Sequence, residues 1–245
     1  MDCYKDLSHL YDKLIYDDIN YEEISKYIMN KYEEYSNRKE LYLDVACGTG
    51  NVSIYLSKHF KETFLVDFSE DMLTEASDKM LKEKVRFKIL LQDMTKLNLN
   101  RKFDLITCVL DSTNYILYEE DLKNYFKGVY NHLNSDGIFI FDINSSYKIK
   151  EILGNNIYNY NTEDIFYSWE NYLENDIVDM YLTFFVKDGE LFRRFEEFHR
   201  ERAYEEKEID AILEHLGFIV LEKHQGYSNN TINKQTERIV YIVKK

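Results

Sequence analysis

The sequence predicts an α/β protein with one mixed sheet of seven strands, helices on both faces of that sheet and a small antiparallel β insert. From Leu41 onwards, short and almost wholly apolar runs alternate with amphipathic stretches of helical spacing, as in a parallel sheet that is covered on both faces. After Asn144 this alternation stops and a β-rich segment follows. The chain has 245 residues, 44% of them apolar, which is enough for one substantial core.

The individual elements follow from changes in periodicity along the chain. Residues 6–36 have the apolar spacing of a helical segment that precedes the sheet. Helices are then expected over 51–60, 71–81 and 120–133, between five apolar runs: LYLDVA, TFLVDF, VRFKILLQD, FDLITCVL and GIFIFDI. A helix over 205–216 precedes GFIVLEKH and ERIVYIVKK, which are predicted to pair as a terminal hairpin at the edge of the sheet.

These boundaries divide the chain into three parts. Residues 1–36 form an N-terminal helical cover, residues 37–148 and 205–245 form the sheet domain, and residues 149–204 form the insert. Within the insert, VDMYLTFFV and LFRRFEEF flank the turn sequence KDGE, which is typical of a β-hairpin.

Composition disfavours several classes of function, although a local basic patch could override the mean charge. The net charge is −14 and the sequence pI is about 4.9, so we expect neither nucleic acid nor an anionic membrane as a partner. Cys3, Cys47 and Cys108 lie far apart and in no ligand spacing, which indicates reduced thiols and no metal site. No signal-like leader and no apolar run of about 20 residues is present, so a cytoplasmic location is expected. The oligomeric state is not indicated by the sequence.

The first strand-to-helix turn, in LDVACGTG, carries the main functional signal. Ligands of open α/β sheets bind beyond the carboxyl ends of the strands, and Gly48 and Gly50 let the main chain approach such a ligand. Asp67 ends the second strand nineteen residues after Gly48, where a carboxylate can accept hydrogen bonds from both ribose hydroxyls. We therefore predict an adenosine-type ligand. Alternatively, the glycines only make a tight turn and Asp67 only caps a helix.

Asp44 discriminates between two kinds of adenosine ligand. The segment from Gly48 to Ser53 is one residue short of the dinucleotide fingerprint, because Ser53 stands where that motif has glycine. A carboxylate at Asp44 would repel a pyrophosphate but would stabilise an ammonium or sulfonium group. A ligand with positive charge near Asp44 is favoured, and an NAD(P)-dependent oxidoreductase is the weaker alternative.

Residues 39–144 resemble class I S-adenosylmethionine-dependent methyltransferases, whose domain is Rossmann-like. Their first motif is similar to the segment DVACGTG, and their fourth motif is similar to FDLITCVLDSTNYI. The resemblance implies S-adenosylmethionine as cofactor, with Asp67 holding the ribose hydroxyls and Asp93 the adenine amino group. It further implies cofactor contacts at Tyr11, Asp44, Ala46, Gly48, Gly50, Phe68, Met72 and Met94. At position 46 this chain has alanine where many members have glycine. Alternatively, Tyr11 and Asp12 are only a pair of residues on the surface of a helix.

The resemblance also places the transferable methyl group near Asp111, Ser112, Asn114 and Tyr115, just past the fourth strand. Alternatively, Asp111 and Ser112 only cap the next turn. The run FEEFHRERAY, which contains His199, is similar to a run in small-molecule methyltransferases that carry a sheet insert as a lid. Exposed cross-strand ion pairs are the alternative explanation of its Arg and Glu residues. The candidate catalytic residues are therefore Asp111, Tyr115 and His199.

Methyl transfer requires mainly an aligned nucleophile and the exclusion of water, so a dedicated base is not required. His132 and His215 lie near predicted helix ends and are interpreted as structural. Together these features predict a methyltransferase that acts on a small-molecule nucleophile. A non-catalytic S-adenosylmethionine-binding protein would keep Asp44, Asp67 and Asp93, and is the alternative. The acceptor atom, N, O or C, is not indicated.

Overall fold

The computed structural model describes residues 19–245, and the structural statements below concern these residues. Eleven strands occur in this part of the chain: β1 (Leu41–Val45), β2 (Glu62–Asp67), β3 (Phe87–Leu91), β4 (Phe103–Cys108), β5 (Leu133–Asn144), β6 (Ile157–Asn161), β7 (Ile165–Glu174), β8 (Ile177–Asp188), β9 (Leu191–Arg202), β10 (Ile219–Gln225) and β11 (Arg238–Lys244). Tyr11, a predicted cofactor contact, lies outside the described residues.

Seven of these strands form one mixed sheet in the order β10-β11-β5-β4-β1-β2-β3. Strands β1 to β5 are parallel to one another, whereas β11 is antiparallel to both β5 and β10. The predicted seven-stranded mixed sheet is confirmed, including the terminal hairpin. The carboxyl ends of β1, β2 and β4 therefore meet at one edge of the sheet, where a ligand is expected.

Helices cover both faces of the sheet: α1 (Tyr21–Tyr35), α2 (Ser53–Leu56), α3 (Glu70–Lys82), α4 (Glu119–His132) and α5 (Glu206–Leu216). Phe126 of α4 and Leu213 of α5 pack in one buried cluster with aromatic side chains of β5 and β11. Ile28 of α1 and Leu56 of α2 pack on the opposite face. Burial of both faces explains why the central strands read as continuous apolar runs.

The helix predicted over 51–60 is shorter in the structure. A single α-helical turn is followed by a 3₁₀ turn over Ser57–His59. The ring of Phe60 packs between Tyr32 and Tyr42, with centroids 5.5 and 5.4 Å away. This packing accompanies an extended backbone at Phe60, so the helix ends and the chain turns into β2.

The remaining strands form a separate four-stranded antiparallel sheet in the order β6-β7-β8-β9. The hairpin between β8 and β9 turns at Gly189, where φ is +65°, as the KDGE sequence predicts. Strands β6 and β7 are not predicted, because their residues are mostly polar or aromatic and only partly buried, with no clean apolar alternation.

The two ends of this insert lie side by side. Ser145, just after β5, forms an isolated parallel bridge with Tyr204, just after β9. The amide of Asn114 donates hydrogen bonds to the carbonyl oxygens of Asn144 (3.0 Å) and Arg202 (2.9 Å). The root of the insert is thus attached to the turn that follows β4. No helix within residues 19–245 is long and apolar enough to cross a bilayer.

Candidate active site

A cavity of about 580 Å³ opens at the carboxyl ends of β1, β2 and β4, and β9 of the insert forms part of its wall. Its volume falls in the range of roughly 300–1,000 Å³ that is usual for ligand pockets. It is lined by most of the residues predicted from the sequence: Asp44, Ala46, Gly48, Asp67, Phe68, Met72, Asp93, Met94, Asp111, Tyr115 and His199.

The turn after β1 has the left-handed backbone angles that its composition suggests. Gly48 has a φ of +54°, and a Cβ atom there would have no heavy atom within 4 Å, so the bare main chain faces open space. Gly50 has a φ of +78°, and a Cβ there would lie 3.2 Å from the Cβ of Ala76 in α3. Gly50 therefore serves the packing of the turn on α3, whereas Gly48 lines the cavity. Ala46 also has a positive φ, 55°.

Asp44 is a buried carboxylate at the end of β1. It is 2% exposed and accepts hydrogen bonds from the hydroxyls of Thr107, at 2.7 Å, and Ser53. Burial raises the pKa of Asp44 to about 6, although these hydrogen bonds favour the ionised form. A cation in the cavity would stabilise the carboxylate further, because opposite charges interact strongly in a desolvated site.

Asp67, at the end of β2, is tied to the glycine turn. Its Oδ2 accepts the main-chain N–H of Gly48 at 2.9 Å, and its Oδ1 accepts that of Ser69 at 2.9 Å. Burial raises its pKa above the ordinary value. The main-chain N–H of Phe68 is a third donor to this carboxylate. A carboxylate has about four acceptor sites, so Asp67 retains capacity for a hydroxyl group of a ligand.

Asp93 follows β3 and is more exposed than the other two acids. Its Oδ1 accepts the main-chain N–H of Thr95 at 2.8 Å, and its Oδ2 lies 3.3 Å from the Lys96 ammonium. Burial opposes ionisation, but these interactions outweigh it and hold the pKa of Asp93 below its ordinary value. Nearby, Met72 is buried whereas Phe68 is 57% exposed, so an apolar surface borders this side of the cavity.

The predicted residues after β4 divide into two groups. Asn114 is a structural bridge to the insert, and the Ser112 hydroxyl donates to the Val109 carbonyl at 3.0 Å, as a turn-capping residue would. Asp111 lines the cavity, but its Oδ1 is 2.6 Å from a guanidinium nitrogen of Arg238. The pairing with Arg238 was not predicted, because nothing in the sequence connects these distant positions.

Tyr115 and His199 meet at the cavity wall. The Tyr115 hydroxyl lies 3.4 Å from Nδ1 of His199, and the two rings are nearly perpendicular. Burial lowers the pKa of His199 to about 4, although the nearby Asp111 charge opposes this shift. His199 is therefore a neutral hydrogen-bonding group at neutral pH.

The two arginines near His199 form ion pairs with carboxylates. Arg202 contacts Glu208 of α5 at 3.0 Å, and Arg200 contacts Asp179 on the neighbouring strand at 2.7 Å. The Arg200–Asp179 pair is a cross-strand ion pair, as in the alternative interpretation of the FEEFHRERAY run. The Arg202–Glu208 pair instead joins β9 to α5 and is partly buried. His132 is structural as predicted: its Nδ1 lies 2.6 Å from the Gly128 carbonyl, and its Nε2 accepts a main-chain N–H at 3.0 Å.

The strand order of the sheet and the acids at the ends of three of its strands agree with the resemblance to class I S-adenosylmethionine-dependent methyltransferases. The chain belongs to the methyltransferase family. A family profile described as "Methyltransferase domain" matches residues 43–137. A protein of Geobacillus sp. (strain WCH70), named as a candidate methyltransferase, is 33% identical over 249 residues that cover 99% of each chain.

Solved structures agree with this assignment. The crystal structure of an S-adenosylmethionine-dependent methyltransferase from Clostridium acetobutylicum is 50% identical, with a TM-score of 0.93 and 98% of each chain covered. An amino pentose methyltransferase from Micromonospora echinaspora, solved with S-adenosylmethionine bound, shares the fold at 17% identity, with a TM-score of 0.78 and 96% of each chain covered. This protein is accordingly an S-adenosylmethionine-dependent methyltransferase.

Proposed function

We propose that the enzyme methylates a small-molecule nucleophile, bound between the turn after β4 and strand β9 of the insert. The observation that carries this proposal is the contact between Tyr115 of the sheet domain and His199 of the insert, at the wall of the cavity. With β9 in this position, the acceptor side of the cavity suits a compact molecule. The net charge of −14 also disfavours nucleic acid as the substrate.

The residues that line the cavity fit the cofactor of this family. Asp67 would accept the ribose hydroxyls and Asp93 would accept from the adenine amino group, while Phe68 and Met72 would pack against the base. Asp44 would stabilise the positive charge of the methionine part. When bound, S-adenosylmethionine supplies a methyl group on a sulfonium, which is transferred by in-line displacement.

Asp111, Tyr115 and His199 would orient the acceptor on the other side of the cavity. Because burial lowers the pKa of His199 to about 4, its ring is a weak base at neutral pH. Its proposed role is to accept or donate a hydrogen bond and to help exclude water, both of which favour a nucleophile held close to the methyl carbon. The free thiols of Cys47 and Cys108 are consistent with the cytoplasmic location that we propose.

Two experiments test the proposal. Calorimetry with S-adenosylmethionine, S-adenosylhomocysteine and NAD should give micromolar binding of the first two only. Radiolabelled S-adenosylmethionine should then transfer its methyl group to a component of a cell extract from which macromolecules have been removed, and not to purified tRNA or protein. Labelling of macromolecules alone would refute the small-molecule assignment. Cofactor binding without any transfer would favour the non-catalytic alternative.

A further inference from the structure

Asp142, near the end of β5, accepts four hydrogen bonds through one buried carboxylate. Its Oδ2 accepts the main-chain N–H of Leu110 at 2.7 Å and the hydroxyl of Tyr227. Its Oδ1 accepts the main-chain N–H of Asp111 at 2.7 Å and a guanidinium N–H of Arg238. Asp142 has no exposed surface, and a carboxylate has about four acceptor sites, so the whole capacity of this group is used.

The two main-chain donors are consecutive residues with an unusual backbone. Leu110 and Asp111 each have a φ of 58°, in the left-handed region that side chains with a Cβ rarely occupy. Such a conformation persists only where the surrounding structure determines it. Here the Asp142 carboxylate determines the conformation, because it accepts hydrogen bonds from both N–H groups on one side of the turn.

Arg238 and Tyr227 extend this network. A second guanidinium nitrogen of Arg238 lies 2.6 Å from Oδ1 of Asp111, so one arginine connects the two carboxylates and orients Asp111. The ring of Tyr227 contacts that of Tyr27 in α1, with centroids 5.8 Å apart. The turn after β4 is thus supported from β5, from β11 and from the connection between β10 and β11.

We propose that Asp142 is a positioning residue that fixes the turn at Leu110 and Asp111 on the acceptor side of the cavity. Both of those residues line the cavity, whereas Asp142 does not. Displacements on the order of 1 Å can greatly slow a reaction that requires alignment. The proposal rests on the proposed function only in locating the acceptor at this turn, because the hydrogen bonds themselves do not depend on the substrate.

Asp104 provides a matched control. It lies at the amino end of β4, at the other end of the strands from the cavity. This buried carboxylate also accepts two consecutive main-chain N–H groups, from Glu40 at 2.9 Å and Leu41 at 3.1 Å. Neither donor lines the cavity. Asp104→Asn should therefore cost stability as Asp142→Asn does, without loosening the acceptor side.

The experiment is amide hydrogen exchange on the full chain saturated with S-adenosylhomocysteine. In Asp142→Asn, the amides of Leu110 and Asp111 should exchange about ten- to a hundredfold faster than in the wild type, the scale of losing a hydrogen bond to a charged group. Exchange around Gly48, and the Kd for S-adenosylhomocysteine, should stay unchanged. In Asp104→Asn, exchange at Leu110 and Asp111 should stay at the wild-type rate.

Unchanged exchange at Leu110 and Asp111 in Asp142→Asn would overturn the proposal, as would an equal change in Asp104→Asn. If Asp142→Asn does not fold, Tyr227→Phe removes one donor to the Asp142 carboxylate. Because the Tyr227 hydroxyl is also 3.4 Å from the main-chain N of Leu110, the informative amide is then that of Asp111, which donates to Asp142. Its exchange should accelerate by a smaller factor than in Asp142→Asn, and no acceleration there would also overturn the proposal. These measurements need no acceptor, so they remain decisive if the search for a small-molecule substrate fails. With an acceptor identified, Asp142→Asn should lower kcat while the KM for S-adenosylmethionine stays constant.

Discussion

The hydroxyl of Tyr115 lies 3.4 Å from Nδ1 of His199, and the planes of the two rings meet at 87°. Tyr115 ends the 3₁₀ turn after β4, and His199 lies on the last strand of the insert. This pair is therefore a contact between the cofactor-binding sheet and the insert at the place where the acceptor is proposed to bind.

Replacement of His199 by alanine should lower kcat by about ten- to a hundredfold, because an orienting hydrogen bond is lost. The affinity for S-adenosylhomocysteine should be unaffected, since the cofactor side is formed by other strands. Glu196→Gln, an exposed change on the same strand, should leave both quantities at their wild-type values. Steady-state kinetics with calorimetry tests this, and full activity of His199→Ala would contradict an acceptor contact.

The affinity for S-adenosylmethionine should fall as the pH is lowered through about 6. Burial raises the pKa of Asp44 to about 6, so below this pH it gains a proton and loses the negative charge that attracts the cofactor. Asp44→Asn should bind S-adenosylmethionine weakly at every pH and show a flatter profile. Calorimetry from pH 5 to 8 measures the effect; identical pH profiles for the two proteins would exclude Asp44 as the titrating group.

Asp67→Ala should weaken S-adenosylhomocysteine binding by about 1.5–3 kcal/mol, the scale of hydrogen bonds to a charged group. The ribose contacts would be lost, together with the hydrogen bond that Asp67 accepts from Gly48. Asp71→Asn, an exposed change in the first turn of α3, is the matched control. Calorimetry decides the matter, and an unchanged Kd for Asp67→Ala would refute the ribose assignment.

Glu201 should make the folded protein less stable as the pH rises from about 4.5 to 8. Burial first, and then the Asp111 charge, raise its pKa from 4.5 to about 8. The folded state therefore binds more protons than the unfolded state in this window, and the free energy of unfolding falls with increasing pH. Glu201→Gln should remove this part of the slope and raise the Tm at pH 8, whereas Glu196→Gln should not. Thermal unfolding at several pH values tests the prediction, and parallel slopes would contradict it.

The position of three acids at one cavity could be predicted, because each acid is recognisable from its own stretch of the sequence. Asp44, Asp67 and Asp93 each follow an apolar run, and parallel strands bring their carboxyl ends to one edge. Assigning the strands was therefore enough to predict that the three acids lie close together. The antiparallel hairpin of the insert was likewise predictable from the KDGE turn.

The acceptor side could be predicted only in part, because its determinants are far apart along the chain. Asp142 lies in the apolar run GIFIFDI and has the sequence context of any residue in a buried strand. Its partners Arg238 and Tyr227 come from the last strand and from the connection before it. No spacing relates them to the turn after β4. An acid inside a run that is otherwise fully buried was the available signal, since such a charge must be paired.

Ser145 and Tyr204 adjoin each other, so the insert leaves the sheet domain and returns to it at a single place. A segment whose ends are already close can be lengthened, shortened or exchanged without altering the strand order of its host. Changes confined to that one segment can therefore reshape the wall that β9 contributes to the cavity, while the strands that carry Asp44, Asp67 and Asp93 keep their order.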